Sequence, residues 1–122
     1  MIRLVLVDDQ PGVRQGLRMW LSLEPDLTVV GEASNGREAI ALVQQLAPDV
    51  VLMDVEMPEM DGIEAAAAMR VSIPQSAVVM LSIHDDGATR ARAHASGAAA
   101  FVTKNGAFED LVATIRQAAE LR

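Results

Sequence analysis

The chain has no cysteine and no tyrosine among its 122 residues, and only two phenylalanines and one tryptophan. Without thiols, a disulfide framework, a thiolate metal site and a cysteine nucleophile are all excluded. No pair of histidines stands at the helical spacing that zinc uses. Basic residues are scarce as well: 10 Lys and Arg stand against 17 Asp and Glu, for a net charge of −7. Nucleic acid and anionic membranes are gripped through an excess of Lys and Arg, so contact with DNA would need another domain. Long apolar runs are missing too. The longest uncharged stretch, Val71 to Ile83, is interrupted by Ser72, Pro74, Gln75 and Ser76 and falls short of the ~18 apolar residues that a membrane span requires. The opening segment through Asp8 and Asp9 is too short and too acidic for a signal peptide. The expected compartment is the cytoplasm, with no membrane partner.

What is present is a 51% hydrophobic composition, enough for one domain over residues 1–122. The apolar residues come in short runs separated by helical patterns. Ile2 to Val7 reads as a first strand, ending at Asp8-Asp9. Pro11-Gly12 opens a helix whose Val13, Leu17, Trp20 and Leu21 share one face, and Pro25-Asp26 ends it. Leu27 to Ala33 is a second strand, after which Asn35 caps a helix with Glu38 three residues on. Pro48 stops that helix, and Val50 to Met53 is a third strand, apolar on both faces as a buried parallel strand requires. Asp61 and Glu64 launch an alanine-rich helix through Arg70. Ala77 to Leu81 is a fourth strand, Asp85-Asp86 cap a short helix to about Ser96-Gly97, Ala99 to Thr103 is a fifth strand, and Phe108 to Ala119 carries a last amphipathic helix. Strands alternating with helices imply a parallel sheet covered on both faces, joined by right-handed crossovers.

In such sheets ligands bind at the carboxyl ends of the strands. The residues standing there are Asp8 and Asp9 after the first strand, Asp54 after the third, Ser82 after the fourth and Lys104 after the fifth. Carboxylates gathered on one rim repel unless a cation sits among them, and a hard divalent ion such as Mg²⁺ suits this oxygen-rich set. With a metal in place, Asp54 is a candidate nucleophile for an aspartyl phosphate. Lys104 and Ser82 would then hold the phosphoryl oxygens. Taken singly, each residue has a plainer role: a helix cap for Asp8 or Asp9, a turn for Asp54, a satisfied hydroxyl for Ser82, a solvated charge for Lys104. Their joint placement on strand ends favours chemistry.

Those residues, with Met53-Asp54-Val55-Glu56-Met57-Pro58-Glu59-Met60-Asp61-Gly62 and Phe101-Val102-Thr103-Lys104, resemble the receiver domains of bacterial two-component response regulators over essentially the whole chain. The resemblance implies a flavodoxin-like α/β fold of (βα)5 type with strand order 2-1-3-4-5. It also implies that Asp54 is the phosphoacceptor, that Asp9 binds Mg²⁺ directly and Asp8 largely through water, and that the backbone carbonyl of Glu56 is a further ligand. Ser82 and Lys104 would bind the phosphoryl group, and Phe101 matches the switch aromatic whose inward turn accompanies movement of the Ser82 hydroxyl. The implied partner is a sensor histidine kinase, and the implied output surface is formed by the fourth helix, fifth strand and fifth helix. Gly12 to Leu17 and Val30 to Gly36 are similar to receivers that precede a LuxR-type helix-turn-helix, the NarL/FixJ class. Transcription control through an additional C-terminal DNA-binding domain is therefore expected, as is a homodimer formed on phosphorylation. The domain is expected to catalyse only its own phosphorylation and dephosphorylation rather than to act as an enzyme.

Three other readings stand beside this one. A stand-alone receiver in a phosphorelay shares the same rim. A haloacid-dehalogenase-like phosphatase is suggested faintly by Val51 to Glu56, yet that family expects Asp where Glu56 stands and places its metal acids after the nucleophile. A flavodoxin would need a Ser/Thr-rich phosphate loop after the first strand. Receivers commonly follow the strand-five lysine with a cis proline, whereas here Lys104 precedes Asn105, for which cis costs ~3 kcal/mol. His84 either lines the phosphate entrance or sits on a surface loop. Trp20 is expected to pack on the first helix, and the seven Met residues to fill gaps.

Overall fold

A computed structural model describes residues 1–121; Arg122, the last residue of the expected domain, lies outside them. Ten elements alternate: β1 (Ile2–Val7), α1 (Pro11–Leu21), β2 (Leu27–Ala33), α2 (Gly36–Leu46), β3 (Val50–Asp54), α3 (Gly62–Ser72), β4 (Ala77–Ser82), α4 (Gly87–Ala95), β5 (Ala100–Thr103) and α5 (Phe108–Leu121). The strands pair in parallel in the order β2-β1-β3-β4-β5, as the resemblance implies. The chain goes out to β2, then returns across β1 to β3, so the rim above β1 and β3 is the point where the winding reverses.

Side-chain alternation divides the core in two. Val5, Val7, Val51, Met53 and Met80 face α2 and α3, where Ala39, Val43, Ala65, Ala66 and Met69 are buried against them. Leu4, Leu6, Leu52, Val79 and Leu81 face the other way, onto Leu21, Leu111, Val112 and Ile115 of α1 and α5. Every residue of β3 and of β4 is buried, which explains why both read as unbroken apolar runs. The small residues of α3 let it pack closely against α2. α4 is held more lightly, with Ala93 its one buried residue.

The helix starts follow the capping chemistry expected of them. Asn35 accepts from the Glu38 amide, and Asp61 with Glu64 forms a reciprocal capping box. Of the Asp85-Asp86 pair, only Asp86 is a cap, accepting from the Thr89 amide at 2.7 Å; Asp85 instead pairs with Arg90. β3 runs one residue beyond its expected end, to Asp54, because the ladder to β4 continues to Leu81. Among the described residues there is no cis peptide bond, so the Lys104–Asn105 link is trans. Trp20 does not pack inward: it is 58% exposed and leans on Phe108 of α5, ring centroids 5.5 Å apart. α1 is buried only at Leu21, so its outer turns carry Trp20 to the surface. Met53, Met57, Met69 and Met80 fill the core, while Met1 and Met19 are exposed. No helix among the described residues is long and apolar enough to cross a membrane.

Candidate functional site

The parallel register brings the ends of β1, β3, β4 and β5 level. Met53 pairs with Val7, Asp54 with Leu81 and Ser82 with Thr103. Two further backbone bonds carry the order past the strands: Val55 donates to the Leu81 carbonyl and Lys104 to the Ser82 carbonyl, each at 2.9 Å. Asp8, Asp54, Ser82 and Lys104 are thereby fixed by main chain rather than by flexible side chains. The loop after Asp54 is tied down in turn, since Gly62 donates to the Val55 carbonyl at 2.9 Å. A Cβ at Gly62 would overlap the backbone carbonyl of Asp54, so the first residue of α3 lies directly against the central acid.

Asp8 and Asp54 are buried, at 2% and 3% exposure. Oxygens of Asp8, Asp9 and Asp54 all lie within 4.8 Å of one another. Lys104 reaches between the two buried acids, its Nζ 3.1 Å from Asp8 and 3.2 Å from Asp54. The Gln10 amide donates to the other Asp8 oxygen at 2.9 Å, and the Glu56 amide donates to Asp54 at 3.3 Å. Asp9 lines an open depression together with Glu56, Pro58, Asp61 and His84, which gives the rim its access to solvent.

Burial raises the Asp54 carboxyl most strongly, and the Asp8 charge adds to it; Lys104 offsets only part, leaving Asp54 at about 7 against its usual 3.8. Lys104 moves the other way: burial alone would lower it, yet the hydrogen bond to Asp8 and the charge of Asp54 outweigh that and raise it. Three carboxylates face one ammonium, which leaves an excess of negative charge on hard oxygen donors. That donor set fits a divalent oxygen-seeking cation of the Mg²⁺ kind.

All the expected site residues converge on this rim except Phe101, which lies opposite Met80, two positions below the Ser82–Thr103 pair. It is half-buried, with the Arg90 guanidinium 4.7 Å above its ring. Ser82 is fully buried, and its hydroxyl is turned to the Glu56 carboxylate. His84 lies on the loop after β4 with its imidazole 4.0 Å from that same carboxylate, so it does border the depression. The hydrogen bond from Ser82 to the side chain of Glu56 was not anticipated by sequence reasoning.

The class defined by this geometry is a doubly wound parallel α/β sheet with an acidic rim closed by one lysine. The match to known proteins makes this specific. The response regulator receiver domain family model matches residues 4–116, and the chain belongs to that family. It is 42% identical over 118 residues to the uncharacterized transcriptional regulatory protein YxjL of Bacillus subtilis, covering 97% of this chain and 54% of that protein. It is 37% identical to the nitrate/nitrite response regulator protein NarL of Escherichia coli, over 95% of this chain and 54% of that one. The chain thus spans about half the length of these relatives. Among solved structures, the receiver domain of the putative response regulator NarL from Mycobacterium tuberculosis superposes with a TM-score of 0.94 at 38% identity, covering 99% of this chain and 98% of that one. A LuxR-family two-component response regulator from Aurantimonas gives 0.96 at 34% identity, over 100% of this chain and 87% of that one.

Proposed function

We propose that this domain is the phosphorylation switch of a two-component system, with Asp54 taking a phosphoryl group from a phosphohistidine of a sensor kinase. The observation that carries the reading is the Lys104 ammonium held between two buried carboxylates, 3.1 Å from Asp8 and 3.2 Å from Asp54. A structural ion pair needs one partner acid. Here the second acid is kept at a cost in desolvation, as a nucleophile that must be approached by an anion would be.

In the transfer, an Asp54 oxygen forms a bond to phosphorus as the phosphorus–nitrogen bond of the donor breaks, and the released imidazole takes up a proton. Asp8, Asp9, Asp54 and the Glu56 carbonyl would hold Mg²⁺, which supplies neutralisation of the phosphoryl charge. Lys104 exchanges its contact with the Asp54 carboxylate for a phosphoryl oxygen, and Ser82 donates its hydroxyl proton to another. The inward turn of Phe101 then follows the Ser82 hydroxyl and leaves the Arg90 guanidinium without its ring. New contacts bias an existing equilibrium in this way. The lightly held α4 and the half-buried β5 have little packing to oppose their movement, which agrees with an output face made by α4, β5 and α5.

By its kinship with NarL of Escherichia coli, named a nitrate/nitrite response regulator, the domain would act in the cytoplasm and control transcription through a C-terminal DNA-binding domain. Dimerisation on phosphorylation would couple the two. The test is intact-mass analysis after incubation with acetyl phosphate, with and without Mg²⁺, beside an Asp54→Asn variant. One phosphoryl group gained only with Mg²⁺ and only with Asp54 supports the reading. No adduct under rapid quenching, and no binding of beryllofluoride, refutes it.

A further inference from the structure

The fully buried Ser82 hydroxyl has one proton to give, and that proton is already committed. It is donated to Oε1 of Glu56 at 2.5 Å, while the serine oxygen accepts from the His84 amide at 3.0 Å. Glu56 reaches this position because its own amide is fastened to the Asp54 carboxylate at 3.3 Å, two residues back along the chain. The His84 imidazole closes the far side, 4.0 Å from the same Glu56 oxygen. A hydroxyl gives its proton to one acceptor at a time. A phosphoryl group arriving on Asp54 therefore finds the Ser82 proton held by a carboxylate.

We infer that Glu56 is a positioning residue that latches the resting site: its carboxylate holds the Ser82 hydroxyl away from Asp54 and competes with the phosphoryl oxygens for its proton. The inference rests on the reading of Asp54 as phosphoacceptor. Two anionic acceptors contend for one donor, and hydrogen bonds to ionised acceptors are the strong ones, so the latch opposes switching until something displaces it. The incoming phosphoryl charge does this by repelling the neighbouring carboxylate. Glu56 has somewhere to go, since its side chain is 37% exposed and can turn to water when it lets go. The backbone carbonyl of Glu56 and its side chain thus have separate duties, the first toward the metal and the second toward Ser82.

The experiment compares Glu56→Ala and Glu56→Gln, each with Ser82 intact and with Ser82→Ala. Beryllofluoride affinity in Mg²⁺ is measured by calorimetry, and the rate of phosphoryl gain from acetyl phosphate by intact mass. Removing the latch with Glu56→Ala is expected to tighten beryllofluoride binding by about tenfold, the scale of a charge-assisted hydrogen bond. Glu56→Gln keeps an acceptor at the same reach and is expected to fall back toward the unmodified chain. With Ser82→Ala, Glu56→Ala is expected to bring no gain. Equal gains for Ala and Gln that persist with Ser82→Ala would mean that Glu56 acts through its charge alone, and would overturn the latch. Unchanged affinity in Glu56→Ala, in a chain that does take a phosphoryl group, would overturn it too and leave Asp54 as acceptor. An unmodified chain that binds no beryllofluoride and gains no phosphoryl group would overturn the acceptor reading, and the latch with it.

Discussion

Replacing Asp54 by Asn should stabilise the metal-free domain, and should do so increasingly as the pH rises. The carboxyl stands at about 7 in the folded chain against 3.8 when free, because burial and the Asp8 charge outweigh Lys104. A folded acid with a raised pKa binds its proton more tightly than the unfolded one, so the stability it contributes is complete below about pH 4 and is lost as the pH climbs through about 7. At 1.36 kcal/mol for each tenfold difference, the whole loss is about 4 kcal/mol. An asparagine escapes it, although its amide matches the Lys104 ammonium less well and returns part of the gain; about 2 to 4 kcal/mol should remain above pH 7. The gap between the two proteins should widen by about 2 kcal/mol between about pH 5.5 and about pH 8. Urea unfolding in the presence of a chelator, run as a pH series on both proteins, measures this. Adding Mg²⁺ should then stabilise the unmodified chain by about 2.7 kcal/mol at a hundredfold excess over its dissociation constant, and the variant much less. A variant less stable than its parent at about pH 8, or a gap indifferent to pH, would refute the electrostatic account of the site.

Three other perturbations address separate parts of the structure. Lys104→Ala leaves Asp8 and Asp54 facing each other without their shared cation and should cost about 2 kcal/mol in urea unfolding above pH 7, more than an exposed lysine ever does. Gly62→Ala forces a Cβ into the Asp54 carbonyl; thermal melting should show a loss of about 2 kcal/mol or more, since neither backbone can give way cheaply. Arg90→Ala removes the guanidinium from above Phe101 and should free the ring to turn inward, tightening beryllofluoride binding about two- to fivefold with little effect on melting.

The alternation of strands and helices was legible because both faces of the sheet are covered. Val50 to Met53 and Ala77 to Leu81 are apolar without interruption, and each ends in the polar residue that matters, Asp54 or Ser82. The caps at Asn35 and Asp61 were legible for a different reason: local chemistry decides them. Trp20 was misread because helical periodicity places it on the stripe of Leu17 and Leu21, whereas in the fold only Leu21 of α1 is buried and Trp20 leans outward on Phe108 of α5. The grip of Glu56 on Ser82 could not be read at all. It joins residues 26 apart in sequence and exists only because β3 and β4 pair in one register. The close approach of Gly62 to Asp54 is equally a product of the folded loop, since the glycine sits at an ordinary helix start.

The central claim concerns a single carboxylate, and the most direct measurement is to locate the phosphoryl group chemically. After phosphorylation in Mg²⁺, reduction with labelled borohydride converts an aspartyl phosphate to labelled homoserine, and peptide sequencing finds the position. Label at Asp54 and nowhere else is the predicted result. Label at Asp8, Asp9 or another acid, with Asp54 unmodified, would contradict the assignment of Asp54 as the acceptor.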